Sequence, residues 1–180
     1  MKKVVLQKSM KRIFLIVGIL TIIVSFIQIS NIEAKEIAKL GSPAPDFTAK
    51  DLEENKVSIS DYKGKVIFLN IWASWCGPCR KEMPSMESLK EEMKDYNFVI
   101  LAISVDKGET NKVKAFIERN RFTFKVLHDP KKEIKAKYYY NGIPTTYIID
   151  SKGIVVEKSI GYEQWDSKER IKQFKSLSTK

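Results

Sequence analysis

The stretch that decides the fold is Val66-Ile-Phe-Leu-Asn-Ile-Trp72-Ala-Ser-Trp75-Cys76-Gly77-Pro78-Cys79, an apolar run followed closely by two cysteines. The run predicts a strand buried on both faces, and the residues after Cys79 have helical spacing. Cys76 and Cys79 are the two cysteines of the chain. A strand that leads through Cys-X-X-Cys into a helix is the layout of a dithiol redox site.

The start of that helix predicts an activated thiol. Its unpaired backbone N–H groups and the positive end of its dipole stabilise a thiolate on Cys76. Pro78 suits the first helical turn, where a missing N–H costs nothing, and Gly77 allows a tight turn. A purely structural disulfide is the weaker interpretation, because a Cys-X-X-Cys bridge closes too short a loop to constrain the unfolded chain much.

The composition is that of a foldable globular chain, with 180 residues and 43% hydrophobic residues. The net charge is +10, and half of it comes from five basic residues before residue 13. The remaining basic residues are interleaved with acids and form no stripe with stacking aromatics. The sequence therefore disfavours nucleic-acid binding.

Residues 13–29 are almost wholly apolar and carry no charge. Such a run after a basic cluster predicts either a transmembrane anchor or a signal peptide, with the basic end in the cytoplasm. No small-X-small cleavage site follows, which favours an uncleaved anchor over a cleaved signal. We therefore expect a basic cytoplasmic segment (1–12), an anchor (13–29), a linker (30–40) and a folded domain (41–180) on the outer face of the membrane. Cleavage would instead release a secreted protein.

The pattern beyond residue 41 predicts an α/β domain. A hairpin with strands at 47–48 and 57–60 comes first, then alternating strands and helices, including a short helix at 133–139. Two strands and a final helix follow. Alternation of this kind favours a mainly parallel sheet covered by helices on both faces, to which the late hairpin adds antiparallel strands.

These motifs resemble the thioredoxin superfamily. The cysteine motif is similar to the active-site segment of that superfamily. Its cis-proline segment is similar to Gly142-Ile-Pro144-Thr-Thr-Tyr-Ile-Ile-Asp150. Three further features are similar to the membrane-tethered TlpA/ResA branch of this superfamily. They are the entry segment Gly41-Ser-Pro-Ala-Pro-Asp-Phe47, the residues Lys81-Glu-Met-Pro84 after the cysteines, and a helix near 110–120. The resemblance implies a three-layer thioredoxin-like fold whose central sheet is mixed, with an N-terminal β-hairpin and an inserted helix.

The resemblance also implies roles for site residues. Cys76 is the nucleophile that attacks a substrate disulfide, and Cys79 is the resolving thiol of a redox-active Cys76–Cys79 pair. Pro144 corresponds to the cis-proline, and Ile143 would offer its backbone to a substrate strand. Trp75 would form an apolar shoulder beside Cys76.

Residue 70 differs from the thioredoxin pattern, and this difference makes Glu82 a candidate proton acceptor. Asn70 stands where cytosolic thioredoxins have a buried aspartate, and its amide cannot take up a proton. Glu82, one helical turn after Cys79, matches a carboxylate of the ResA branch. Partial burial would raise its pKa and suit it to proton transfer. The alternative is a solvated glutamate paired with Lys81 or Arg80.

We expect a thiol-disulfide oxidoreductase that needs no cofactor and no metal. The single histidine, His128, is predicted as a surface residue rather than a metal ligand. The implied partners are protein disulfides, such as those of apocytochrome c or of envelope and sporulation proteins, and a membrane thiol donor of the CcdA/DsbD type. The alternatives are a disulfide oxidase or isomerase, a peroxiredoxin-like peroxidase, and a tethered binding module.

Overall fold

The apolar run before the cysteines forms β3 (Val66–Trp72), whose seven residues are all buried, in a computed structural model that describes residues 37–178. The other strands are β1 (Thr48–Asp51), β2 (Lys56–Ser58), β4 (Phe98–Ser104), β5 (Lys125–His128), β6 (Thr145–Ile149) and β7 (Val155–Ile160). The α-helices are α1 (Gly77–Glu92), α2 (Thr110–Asn120) and α3 (Lys168–Leu177), and two 3-10 turns span Ile59–Tyr62 and Glu133–Ala136.

The strands form one mixed sheet in the order β2-β1-β5-β4-β3-β6-β7. The mixed sheet, the N-terminal hairpin and the inserted helix α2 are as expected from the resemblance, so the thioredoxin-like α/β fold is confirmed. The parallel pairs in the described chain are β3–β4 and β4–β5, and the other four pairs are antiparallel. The expectation of a mainly parallel sheet was therefore wrong, because the N-terminal hairpin, as well as the expected late hairpin, adds antiparallel pairs.

One face of the sheet carries all three α-helices of the described chain, whereas helices were expected on both faces. Phe68, Asn70 and Trp72 alternate along β3 and so share a face. Phe68 packs against Phe174 of α3, Asn70 bonds Glu82 of α1, and Trp72 packs against Phe116 of α2. This face therefore brings α1 and α3 together beneath the cysteines.

The opposite face is covered by less regular chain. Tyr147 pairs with Leu69 across the strands and packs edge-on against Tyr138, with ring centroids 5.2 Å apart. Tyr138 follows the 3-10 turn Glu133–Ala136, which replaces the longer helix predicted for residues 133–139. The hydroxyl of Tyr138 donates to the carbonyl of Pro45, so this layer is held to the entry segment of the domain.

The hairpin strands are also shifted from their predicted positions. β2 ends at Ser58 because the Asp61 carboxylate accepts the Ser58 N–H (2.7 Å) and so caps a 3-10 turn. Asp46 accepts both the N–H and the hydroxyl of Ser60, which holds the turn against the entry segment.

The predicted anchor at residues 13–29 lies outside the described residues. Within residues 37–178, no helix has the length and apolar character needed to cross a membrane.

Candidate active site

Cys76 lies at the junction between the β3 strand and the α1 helix. It is the N-cap of α1, and its sulfur accepts the backbone N–H of Cys79 at 3.2 Å. The two sulfurs are joined in a disulfide. Cys79 is wholly buried, whereas Cys76 keeps 5% of its surface exposed. After reduction, Cys76 is therefore the sulfur that a substrate can reach, and the helix N-terminus stabilises its thiolate.

A second segment closes the site from the side of β6. The Ile143–Pro144 peptide bond is cis, and Pro144 is buried while Ile143 is half-buried. The carbonyl oxygen of Ile143 lies 3.6 Å from the sulfur of Cys76. Among the described residues, no backbone hydrogen bond occupies the N–H of Ile143. The backbone at Ile143 is thus beside the reactive sulfur and open to an incoming strand.

Trp75 precedes Cys76 and has 65% of its surface exposed. Together with Ile143 it borders a cavity of about 230 Å³. The chain therefore presents an apolar side chain to solvent directly beside the sulfur. Such an exposed aromatic is suited to contact a polypeptide substrate.

Glu82 is fully buried beneath the cysteines and takes part in a polar network. Its Oε1 accepts a hydrogen bond from Asn70 Nδ2 at 2.9 Å, and its Oε2 accepts one from Trp165 Nε1 at 3.2 Å. Asn70 Nδ2 also donates to the hydroxyl of Thr146. These contacts exclude the solvated glutamate paired with Arg80 or Lys81 that the sequence left open.

Burial dominates the acidity of Glu82. Desolvation raises the pKa of this carboxyl from 4.5 to about 7, against the opposing effect of hydrogen bonds from Asn70, Trp165 and the Glu163 amide. The negative charge of Glu163 raises the pKa further. The amide oxygen of Asn70 has no hydrogen-bond partner among the described residues. The network thus holds a carboxyl that exchanges its proton near neutral pH, one helical turn from Cys79.

Asp106, which was not predicted from the sequence, is a buried carboxylate that holds the active-site loop. It accepts the backbone N–H of Ser74 at 2.8 Å and the Ser74 hydroxyl at 2.7 Å. Ser104 also donates to it at 2.8 Å. Its place could have been inferred, because Asp106 lies two residues after the end of β4, and the carboxyl ends of the parallel strands β3 and β4 lie side by side.

His128 is a second difference from expectation. It is buried, with 6% of its surface exposed, rather than on the surface. Its Nδ1 is 3.1 Å from the Thr110 hydroxyl, and its Nε2 is 3.0 Å from the Asp106 carbonyl oxygen. Both ring nitrogens are therefore engaged in joining α2, β5 and the loop after β4.

The structure thus brings Trp75, Cys76 and Ile143 together at one surface, with Cys79, Pro144 and Glu82 buried behind them. The model of the AhpC/TSA family matches residues 40–158. The chain is 43% identical to the thioredoxin-like protein YneN of Bacillus subtilis over 123 residues, which are 67% of this chain and 71% of YneN. It is 41% identical to the thiol-disulfide oxidoreductase ResA of Bacillus cereus over 127 residues, 71% of this chain and 73% of that protein.

Solved structures show the same likeness. StoA from Bacillus subtilis has 28% sequence identity and a TM-score of 0.61, over 74% of this chain and 98% of StoA. The thioredoxin domain of a thiol-disulfide oxidoreductase from Bacteroides vulgatus has 29% identity and a TM-score of 0.66, over 76% of this chain and 97% of that domain.

Proposed function

Because this chain belongs to the AhpC/TSA family and is a thiol-disulfide oxidoreductase, we propose that it reduces protein disulfides outside the cytoplasm through Cys76 and Cys79. The observation that carries the proposal is the position of Cys76. Its sulfur caps the α1 N-terminus and lies 3.6 Å from the open backbone of Ile143.

The reaction is a two-step exchange that starts from the reduced dithiol. The Cys76 thiolate attacks one sulfur of the substrate disulfide, whose S–S bond breaks, and a mixed disulfide forms as the other substrate sulfur leaves as a thiolate. The Cys79 thiolate then attacks the Cys76 sulfur and releases the second substrate thiolate. Two electrons pass from the dithiol to the substrate, and the protein is left with the Cys76–Cys79 disulfide.

Glu82 is proposed as the group that takes the proton from Cys79 before the second step. Cys79 is wholly buried, so its thiol needs a proton acceptor within the protein. With a pKa raised to about 7 by burial, Glu82 accepts protons at neutral pH and returns them readily. Asn70, at the position of the usual buried aspartate, supports this carboxylate through its Nδ2 donor.

The substrate is proposed to bind as an extended strand against Ile143. The N–H and carbonyl of Ile143 would pair with the substrate backbone, a form of β-augmentation, while Pro144 keeps this backbone beside the sulfurs. Trp75 would cover the substrate disulfide from the other side. This arrangement recognises backbone more than side chains, as suits a protein that acts on polypeptides.

The proposed location follows from the sequence before the domain. Basic residues 1–12 would stay in the cytoplasm, residues 13–29 would form an anchor or signal, and residues 30–40 would link them to the domain at 41–180. Outside the membrane the protein needs a membrane thiol donor of the CcdA/DsbD type. Apocytochrome c with oxidised haem-attachment cysteines is the proposed substrate, with envelope or sporulation proteins as further ones.

The experiment that tests the proposal is mixed-disulfide trapping with Cys79→Ser. This variant should accumulate covalent adducts through Cys76, and the double variant Cys76→Ser/Cys79→Ser should form none. A wild-type reduction potential near that of thioredoxin, roughly −270 mV, is expected for a reductase. A potential near −120 mV would instead identify an oxidase, and rapid consumption of peroxide would identify a peroxidase.

A further inference from the structure

We propose that the cavity beside the redox disulfide binds the carboxylate side chain of an acidic residue that flanks the substrate disulfide. The inference rests on the proposed function, which it deepens by naming a feature of the substrate.

The cavity adjoins the reacting atoms. Its volume is about 230 Å³, and its walls include Trp75 and Ile143. Since the Ile143 carbonyl lies 3.6 Å from the sulfur of Cys76, a substrate strand that lies along Ile143 passes this cavity within a residue or two of its own disulfide. The cavity is smaller than a typical ligand pocket of about 300–1,000 Å³, and its size suits one side chain.

The cavity is positively charged. Lys132 and Lys135 line it, both side chains are exposed, and among the described residues neither forms a salt bridge. The nearby carboxylate of Asp129 is already engaged, because it accepts the backbone N–H groups of Glu133 and Ile134 at 3.0 and 2.8 Å. Neither ammonium group therefore has a carboxylate within ion-pair distance among the residues described, and that of Lys135 lies over the rings of Tyr139 and Tyr140.

Tyr140 supplies a second, independent observation. It also lines the cavity, only 7% of its surface is exposed, and its buried hydroxyl has no hydrogen-bond partner within the described chain. The Lys135 ammonium lies 5.3 Å from the centre of the Tyr140 ring. A buried phenol without a hydrogen-bond partner costs free energy, and a carboxylate that entered the cavity deeply enough to reach it would supply an acceptor.

The cavity is distinct from a larger one, of about 460 Å³, that opens where the chain enters β3. That cavity is bordered by three lysines, of which Lys63 and Lys65 lie close together in the chain. It lies at the far end of β3 from Cys76, so it cannot contact a substrate disulfide at the same time as that sulfur. The pair Lys63 and Lys65 therefore provides a control with the same change in net charge.

The test compares two synthetic disulfide peptides that differ only in one residue beside the cystine, Glu in one and Gln in the other. The glutamate is placed on either side of the disulfide in turn, and kcat/KM is measured with the reduced full-length protein. Wild type should favour the Glu peptide in one of the two placements by about three- to tenfold, as expected for two partly exposed charge contacts. The preference should shrink as the salt concentration rises.

Variants of the lining residues test whether the preference for the Glu peptide arises at this cavity. The double variant Lys132→Gln/Lys135→Gln should treat the two peptides alike, and Tyr140→Phe should reduce the preference. Lys63→Gln/Lys65→Gln should retain it in full. Equal rates for Glu and Gln peptides in wild type, or an equal loss in the control variant, would overturn the inference while leaving the reductase proposal intact. If the reduced protein acts on neither peptide, the proposed function itself fails.

Discussion

At the scale of single residues, Glu82 is a carboxyl group that is wholly buried in a polar network. An acid buried among an amide, an indole and a backbone N–H keeps its proton to a higher pH than an exposed glutamate does. The shift from 4.5 to about 7 corresponds to a differential interaction on the order of 3 kcal/mol. The same group should therefore affect both activity and stability.

We expect Glu82→Gln to remove the pH dependence of resolution near neutrality. In wild type, the rate of resolution should rise as pH increases through about 7, because only the deprotonated carboxylate accepts the Cys79 proton. The variant should resolve mixed disulfides at least tenfold more slowly than wild type at pH 8. Its rate should not show the rise near pH 7. Rapid-mixing measurements between pH 5 and 9 test this, with Glu92→Gln at the exposed end of α1 as the control. An unchanged profile would exclude Glu82 as the proton acceptor.

The stability of wild type should fall as pH rises from about 4.5 to about 7. A carboxyl whose pKa is raised on folding binds more protons in the folded state over this range, so raising the pH favours unfolding. Glu82→Gln should flatten this part of the stability profile. Urea unfolding of the oxidised protein at several pH values measures the slope, and equal slopes in both proteins would contradict the assignment.

Asp106 holds the loop that carries Trp75 and Cys76. Asp106→Asn keeps one acceptor oxygen and replaces the other with an N–H donor, so the contacts with Ser74 and Ser104 lose the carboxylate charge and one hydroxyl must turn to accept. We expect a loss of about 1–3 kcal/mol in unfolding free energy, together with slower alkylation of reduced Cys76 by iodoacetamide. Ser74→Ala keeps the backbone bond and should show a smaller loss. A loss of stability without slower alkylation would limit Asp106 to a structural role.

At the scale of elements, α3 holds the back of the site. Phe174 packs against Phe68 and Phe98 of the sheet, and Trp165, just before α3, lies edge-on to Phe68 at 4.7 Å while its N–H reaches Glu82. Arg170 stacks over Trp165 and binds Glu157 through two nitrogens. The segment that leads into α3 is therefore part of the environment of Glu82, although it is remote from Cys76 in sequence.

Removing the α3 anchor should destabilise the domain strongly. Phe174 is fully buried, so Phe174→Ala should cost about 3–5 kcal/mol in unfolding free energy. Lys172→Ala, at an exposed position of the same helix, should change it by less than about 0.5 kcal/mol. Denaturant titration of both variants measures the difference. A loss below about 1 kcal/mol for Phe174→Ala would show that α3 contributes little to the fold.

At the scale of the whole molecule, the proposed function places a dithiol domain after an apolar segment. The domain alone accounts for the exchange chemistry, and residues 1–40 would decide where that chemistry occurs. A reductase on the outer face must draw electrons through the membrane, so its position is part of its function.

We expect the full-length protein to remain with the membrane at its uncleaved mass. A long apolar run without a small-X-small cleavage site should be retained as an anchor. Mass spectrometry of membrane fractions, with protease added to intact spheroplasts, tests both retention and the exposed side of the domain. A mature chain that begins near Lys35 would contradict the anchor, and protection from added protease would contradict the outer location.

Much of the fold could be predicted from the sequence because it depends on local patterns. The buried strand β3, the Cys-X-X-Cys turn and the start of α1 are each encoded by adjacent residues. The place of β6 beside β3 and the 3-10 turn at Glu133–Ala136 were not predictable in this way, because pairing partners and packing decide them. The same holds for the active site. Cys76 and Cys79 could be identified from their spacing in the sequence, whereas the role of Asp106 could not.

The sequence by itself determined that this protein carries a dithiol at a helix start, because two cysteines three positions apart need no distant partner to define them. Only the tertiary structure decided what surrounds that dithiol. Trp165 reaches Glu82 from 83 positions along the chain, and Asp106 reaches Ser74 from 32. Desolvation and hydrogen bonding depend on such distant neighbours, so the acidity of Glu82 and the hold on the active-site loop appear only once the chain is folded.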